Sequence, residues 1–313
     1  MKIVSLLASA TEIVDALGLN GRLVAISHEC DYPPSVLGLP RASRPRFDPE
    51  GLTSGEIDRA VRRAMAEHGS VYEIDEELLE RLRPDLILTQ AVCEVCAVPA
   101  GGVAAALERR GLEATVLSLD SHTVGEILDA IHAVGRAAGD EPSAVALVAS
   151  LRTRLDRVAA AVTDARSPRV MAIEWLDPPF VPGHWVPEMI DLAGGLNLLG
   201  GVGRPSREVA WGELESMDPD ILVIMPCGYG IDAAEMDAHA HADRLAAIAP
   251  RAIAAGRAVV VDASAYFNRS GPRFVTGVEI LGSLLHPERC GPADPAHARV
   301  WAPAGAEARS LSE

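Results

Sequence analysis

Residues 140–165 read DEPSAVALVASLRTRLDRVAAAVTDA, and this stretch decides how the chain is divided. Its apolar side chains at Ala144, Val148, Leu151, Leu155, Val158 and Val162 recur every three or four residues, while Arg152, Arg154, Asp156 and Arg157 fall mostly off that stripe. The spacing predicts one long helix, with Asp140 as N-cap, Pro142 in the first turn, and Ser167-Pro168 ending the segment before a strand at Val170. At ~1.5 Å per residue such a helix spans roughly 30–40 Å, about the width of a lobe. An ordinary surface helix would read the same way in isolation, but similar material on both flanks makes it a connector between two lobes.

Before it, short apolar runs over 3–6, 23–26, 86–88 and 115–119 alternate with helical patterns over 11–17, 55–68, 75–81, 103–109 and 124–138. After it, strands over 170–175, 221–225 and 258–262 alternate with helices over 187–193, 240–254 and 273–285. Segment 41–53 reads as irregular. The steps Leu82-Arg83-Pro84-Asp85 and Met217-Asp218-Pro219-Asp220 each lead into an apolar strand and a polar loop, an internal pseudo-repeat. Apolar strands between amphipathic helices imply parallel sheets covered on both faces, hence an α/β fold of two Rossmann-like lobes. The expected division is a first lobe over 1–139, a linker helix over 140–167, a second lobe over 168–290 and a flexible tail over 291–313. Ligands of such sheets gather beyond the carboxyl ends of the strands, which selects the loops at His28, Cys93, Trp175, Cys227 and Tyr266.

With 28 basic against 44 acidic residues, the net charge of −16 argues against a nucleic-acid phosphate surface or an anionic membrane as the main partner. No run is long and apolar enough to insert in a bilayer. Met1-Lys2-Ile3 runs straight into the first strand, so the expectation is a cytoplasmic protein whose five cysteines are reduced thiols.

Val4-Ser5-Leu6, Ala10-Thr11-Glu12, Leu17-Gly18-Leu19, the Arg83-Pro84-Asp85-Leu86-Ile87 strand entry, the linker helix and the closing Gly271-Pro272-Arg273 helix together resemble the helical-backbone substrate-binding proteins of ABC importers. Over about residues 1–290 the chain is most similar to the cobalamin-binding branch. The resemblance implies two lobes joined by a rigid helix and a ligand such as vitamin B12 or a ferric siderophore held between them. It also implies limited hinge motion and an ABC permease as partner, against which the expected cytoplasmic location weighs.

The residues at the cleft mouth leave several readings open. Cys93 and Cys96 have the spacing of zinc knuckles and dithiol redox pairs, and Cys30 with His28 arrives from a neighbouring loop. They make a zinc or iron site, a redox or covalent thiol pair, or simply buried cysteines. Cys227 opens the matching loop of the second lobe, and Cys290 lies near the tail. His28 is a loop-capping donor, a metal ligand or the axial base of a corrinoid. Glu29 and Glu94 accept hydrogen bonds from ligand amides, supply an oxygen ligand, or are solvated.

Glu174, Trp175, His184 and Trp185 lie among prolines, and their indole rings offer a broad apolar wall to a corrin ring or else fill the lobe core. His184 is the second choice of axial or metal ligand, while Glu188 reads as a helix cap. Tyr229 and Tyr266 offer stacking or hydroxyl donation. Arg273, at a helix start, calls for an anionic ligand group or a salt bridge to Asp262 or Glu279. Gly-rich stretches lack nucleotide-binding spacing, and no GxSxG elbow follows a strand. Two functions remain: binding of cobalamin, another corrinoid or a comparable small-molecule metal complex between the lobes, or a metal-dependent enzyme or metal-binding protein on the same scaffold.

Overall fold

A computed structural model describes residues 1–91 and 98–303 of the chain. The first lobe runs β1 (Ile3–Ser5), α1 (Ala8–Ala16), β2 (Leu23–Ala25), β3 (Ser43–Pro45), α2 (Ser54–His68), β4 (Tyr72–Ile74), α3 (Glu76–Leu82), β5 (Leu86–Thr89), α4 (Ala100–Arg110), β6 (Thr115–Ser118) and α5 (Val124–Ala137). Its central sheet has the order β2-β1-β5-β6, all parallel, with Ile3 opposite Leu86 and Ile87 opposite Val116. Segment 41–53, read as irregular, contains β3, which pairs antiparallel with β4. Three residues ending in proline are too short to show an alternating pattern.

The long helix α6 (Glu141–Val162) follows as expected. The Asp140 side chain accepts from the Ser143 amide at 3.3 Å, satisfying an otherwise unpaired first-turn N–H. Its buried residues are Ala144, Val148, Leu151, Leu155, Val158 and Val162, the same six as the apolar stripe. That stripe packs on α5 and, toward its C-terminal end, on α13; at the α5 crossing a side chain on Gly135 would stand 2.4 Å from the Ala144 Cβ, so glycine permits the approach.

The second lobe comprises β7 (Arg169–Ile173), β8 (Trp175–Leu176), β9 (Pro179–Val181), α7 (Val186–Leu192), β10 (Leu196–Asn197), β11 (Arg207–Glu208), α8 (Trp211–Glu215), β12 (Ile221–Ile224), α9 (Ile231–Ala240), α10 (Ala242–Ile248), α11 (Pro250–Ala254), β13 (Ala258–Val261), α12 (Ala263–Tyr266), α13 (Phe274–Leu285), α14 (Pro287–Cys290) and β14 (Ala298–Val300). Its main sheet has the order β10-β7-β12-β13-β14, with β14 antiparallel to β13. Loop 176–185 holds β9, which pairs with β8 and β11 in a small antiparallel sheet. The helix expected over 240–254 is broken at His241 and Ala249, where the backbone leaves helical angles. The segment read as a flexible tail contributes β14 and buries Trp301 to 1% exposure.

The pseudo-repeat has a physical basis. Asp85 accepts a hydrogen bond from the Lys2 amide at 2.6 Å, and Asp220 does the same for the Arg169 amide at 2.9 Å. Each carboxylate thus pins the entrance of its lobe's first strand. The residue before each proline, Arg83 and Asp218, has the same left-handed backbone, φ 47° and 43°.

One apolar body runs from α1 through α5 and α6 to α7 and α13, so the face containing the linker is packed continuously across both lobes. The opposite faces have separate cores: Val4, Ala42, Leu79, Ile87 and Val103 in the first lobe, Met171, Ile173, Ala234, Ala238 and Trp301 in the second. A single close-packed body at the junction resists wide hinge motion.

Candidate functional site

The carboxyl ends of the two parallel sheets face each other across a cleft, and three sets of contacts hold them together. Beside the linker, the set is ionic. Glu12, the one acid on the buried part of α1, is 3% exposed and receives Arg273 of the second lobe at 2.9 and 2.6 Å. Arg269 reaches the same carboxylate at 3.3 Å, the Asp31 carboxylate at 3.0 Å and the Glu29 carbonyl at 3.1 Å. The Arg273 guanidinium also lies 4.2 Å over the Tyr32 ring. Burial works against the charged form of Asp31, but the hydrogen bond and charge of Arg269 prevail and hold its carboxyl below the usual range.

At the β6 edge, His122 and His184 meet with their Nδ1 atoms 3.3 Å apart. Glu188 accepts from the Val124 amide at 2.8 Å, so it caps α5 of the other lobe rather than its own helix. Burial, then the proximity of His122, lowers the pKa of His184. A histidine held neutral in the fold loses ground when the unfolded chain takes up protons, so stability falls as pH drops below about 6.5. His184→Gln is expected to flatten that acid limb in urea titrations at pH 5 and pH 8; an unchanged pH profile contradicts this assignment.

On the side remote from α6, the start of α2 meets the second lobe. Ser54 Oγ donates to Asp237 Oδ1 at 3.0 Å, and Arg62 donates to Glu208 at 2.9 Å.

Between these contacts lie the loops selected from the sequence. His28 Nδ1 is 3.0 Å from Ser43 Oγ, its Nε2 is 3.1 Å from Glu29 Oε1, and its ring tilts against Tyr72. The neighbouring His28 lowers the pKa of Glu29. In the second lobe, half-buried Trp175 packs edge-on against Tyr229 with centroids 5.4 Å apart. Its Nε1 donates to the Asp177 carbonyl at 3.0 Å, which fixes the ring on the β8–β9 turn. Burial pushes the Tyr229 phenol up to about 12, with the charge of Asp237 adding to the shift. Glu174 sits at the end of β7, where its carbonyl accepts from the Cys227 amide at 2.9 Å, and the Cys227 side chain is exposed.

Several expected roles change. Trp185 is 8% exposed and donates to the Phe267 carbonyl at 2.8 Å, so it belongs to the core rather than the cleft wall. Arg273 pairs with Glu12, not with Asp262 or Glu279; Asp262 caps α12, and Glu279 takes Arg154. Tyr266 packs edge-on against His297, 5.7 Å from the Arg273 guanidinium.

Cys30 is 2% exposed beside Thr11, where burial pushes its thiol up, the reverse of what a thiolate ligand needs. Cys290 is half-buried at the end of α14, apart from the cleft loops in sequence. Cys93, Glu94 and Cys96 lie outside the described residues. Among the described residues no group of three or more His, Cys, Asp or Glu side chains converges to hold a metal, so the expected metal-binding cluster is not found there. Glu12, Asp31, Ser54, His122, Asp237 and Arg269 were not singled out from the sequence, although a lone acid on the apolar part of α1 signals a buried partner.

Residues 3–265 match the family model described as periplasmic binding protein. A vitamin B12-binding protein of Vibrio cholerae is 27% identical over 225 residues, covering 71% of this chain and 69% of that protein. Among solved structures, the periplasmic vitamin B12 binding protein BtuF of Vibrio cholerae aligns with a TM-score of 0.65 at 24% identity, over 91% of this chain and 96% of its own. A periplasmic heme binding protein from Pseudomonas aeruginosa aligns with a TM-score of 0.69 at 22% identity, over 92% and 93%. These likenesses establish the fold. They also overturn the expected cytoplasmic location, because the matching family and these structures are periplasmic binding proteins. No helix among the described residues is long and apolar enough to cross a membrane. A two-lobed small-ligand binder, with its cleft between parallel sheets and its linker helix packed into both lobes, is what the sequence and geometry jointly describe: the chain belongs to the periplasmic binding protein family.

Proposed function

We propose that the interlobe cleft takes cobalamin or a related corrinoid and presents it to the permease of an ABC importer. The observation that carries this reading is the Trp175–Tyr229 pair, two half-buried rings held edge-on at the carboxyl ends of β7 and β12. A flat macrocycle needs a broad apolar face, and rings already fixed in place cost little entropy on binding. Tyr229 remains a neutral hydroxyl across the physiological range, able to donate to an amide of the ligand periphery. His28 lies on the facing lobe as the candidate nitrogen donor. The similarity to a vitamin B12-binding protein supports the choice of cargo over heme or a ferric complex.

Thermal unfolding against a panel of ligands tests the choice. At 100 times its Kd, a ligand that binds the folded chain alone adds about 2.7 kcal/mol. Cyanocobalamin is expected to raise the midpoint, with hemin and a ferric siderophore at the same concentration giving much less. A larger shift with hemin than with cyanocobalamin overturns the assignment.

A further inference from the structure

We propose that α2 is a strap across the front of the cleft, latched to the second lobe by its first turn, and that its release governs passage of ligand in and out. The inference rests on the reading of the interlobe cleft as the ligand site, but not on which ligand it takes.

Although α2 belongs to the first lobe by sequence, its anchorage there is slight. Of its 15 residues, the buried ones are Ser54, Gly55 and Ala64. The first two are buried by the second lobe: Ser54, at 1% exposure, donates to Asp237, and Gly55 lies against Asp177. A side chain on Gly55 would stand 2.2 Å from Asp177 Oδ2, so glycine lets the carboxylate approach the backbone at the helix start. Two second-lobe acids therefore face the positive end of the α2 dipole, and Glu208 takes Arg62 further along. The helix is attached mainly by polar contacts, which place a segment at the low end of local stability.

The position of the latch follows from the cores. The linker and α13 cover one face of the second sheet, whereas α9, which carries Asp237, packs on the other. The contact of α2 with α9 and with the β8–β9 turn thus closes the side of the cleft remote from α6. Trp175, in β8, donates to the Asp177 carbonyl of that same turn, so the closed strap adjoins the proposed ring-binding wall. The latch is also incompletely satisfied. Asp237 Oδ1 is used by Ser54 and lies 3.4 Å from His241 Nδ1, but Oδ2 is buried without a hydrogen-bond partner.

Amide hydrogen exchange on the ligand-free, full-length protein tests the latch. In Asp237→Ala, which removes the acceptor, and separately in Ser54→Ala, which removes the donor, amides 54–57 are expected to exchange at least about 10-fold faster, with β5 and β12 amides unchanged. Unchanged exchange at 54–57 in both variants overturns the proposal. Stopped-flow mixing with cyanocobalamin supplies the second readout: both association and dissociation are expected to accelerate in Asp237→Ala. Equal rates in wild type and variant overturn the gating role. If wild type takes up no cyanocobalamin, the ligand assignment fails while the exchange result still decides the strap.

Discussion

Glu12→Ala is expected to lower the stability of the folded chain by about 3–5 kcal/mol, the cost of breaking a buried ion pair by removing one partner. Glu12 receives two hydrogen bonds from Arg273 and one from Arg269, so its loss leaves two guanidinium groups of the second lobe facing a carboxylate-free pocket on α1. Asp31 still neutralises Arg269, whereas Arg273 loses its carboxylate hydrogen bonds and keeps the ring faces of Tyr32 and Tyr266. Because these contacts join the lobes beside the linker, the variant is also expected to loosen their relative placement. Urea denaturation followed by far-ultraviolet circular dichroism measures the loss. A decrease below about 1 kcal/mol would show that the cluster is effectively solvated, as most surface pairs are.

Trp175→Ala is expected to weaken cobalamin binding by about 10- to 100-fold, about 1.4–2.8 kcal/mol, as for a central aromatic anchor. The ring packs on Tyr229, and its indole N–H is tied to the β8–β9 turn, so substitution removes contact area together with its preorganisation. Trp175→Phe keeps an aromatic face and is expected to lose much less. Equilibrium titration measures both variants, with the unfolding midpoint confirming that the lobe remains intact. Unchanged affinity in a folded Trp175→Ala protein would move the ligand off this wall.

The two-lobed α/β architecture was legible because it rests on local pattern. The six-position stripe of α6, its Asp140 cap and the Pro-Asp strand entries are set by neighbours in sequence, and each has the role its spacing suggested. Elements of two or three residues, such as β3, β9 and β14, carry no period and become strands only because a partner strand is present. The site was less legible for the same reason. Glu12 and Arg273 are 261 positions apart, and nothing near either residue names the other. Trp185 read equally as cleft wall or core filler and Cys30 as ligand, redox thiol or buried cysteine, and only the long-range packing puts both side chains in the core. The opening residues suggested a cytoplasmic protein, but the family match shows how little the beginning of this sequence says about location.

Isothermal titration of the purified chain with cyanocobalamin tests the central claim most directly. The expected result is one cobalamin per chain, a Kd below about 1 µM, equivalent to about −8.2 kcal/mol, and a negative heat-capacity change from burial of apolar surface. No uptake at about 100 µM cyanocobalamin, with hemin saturating the same protein at one per chain, would contradict the claim and assign the cleft to a different macrocycle.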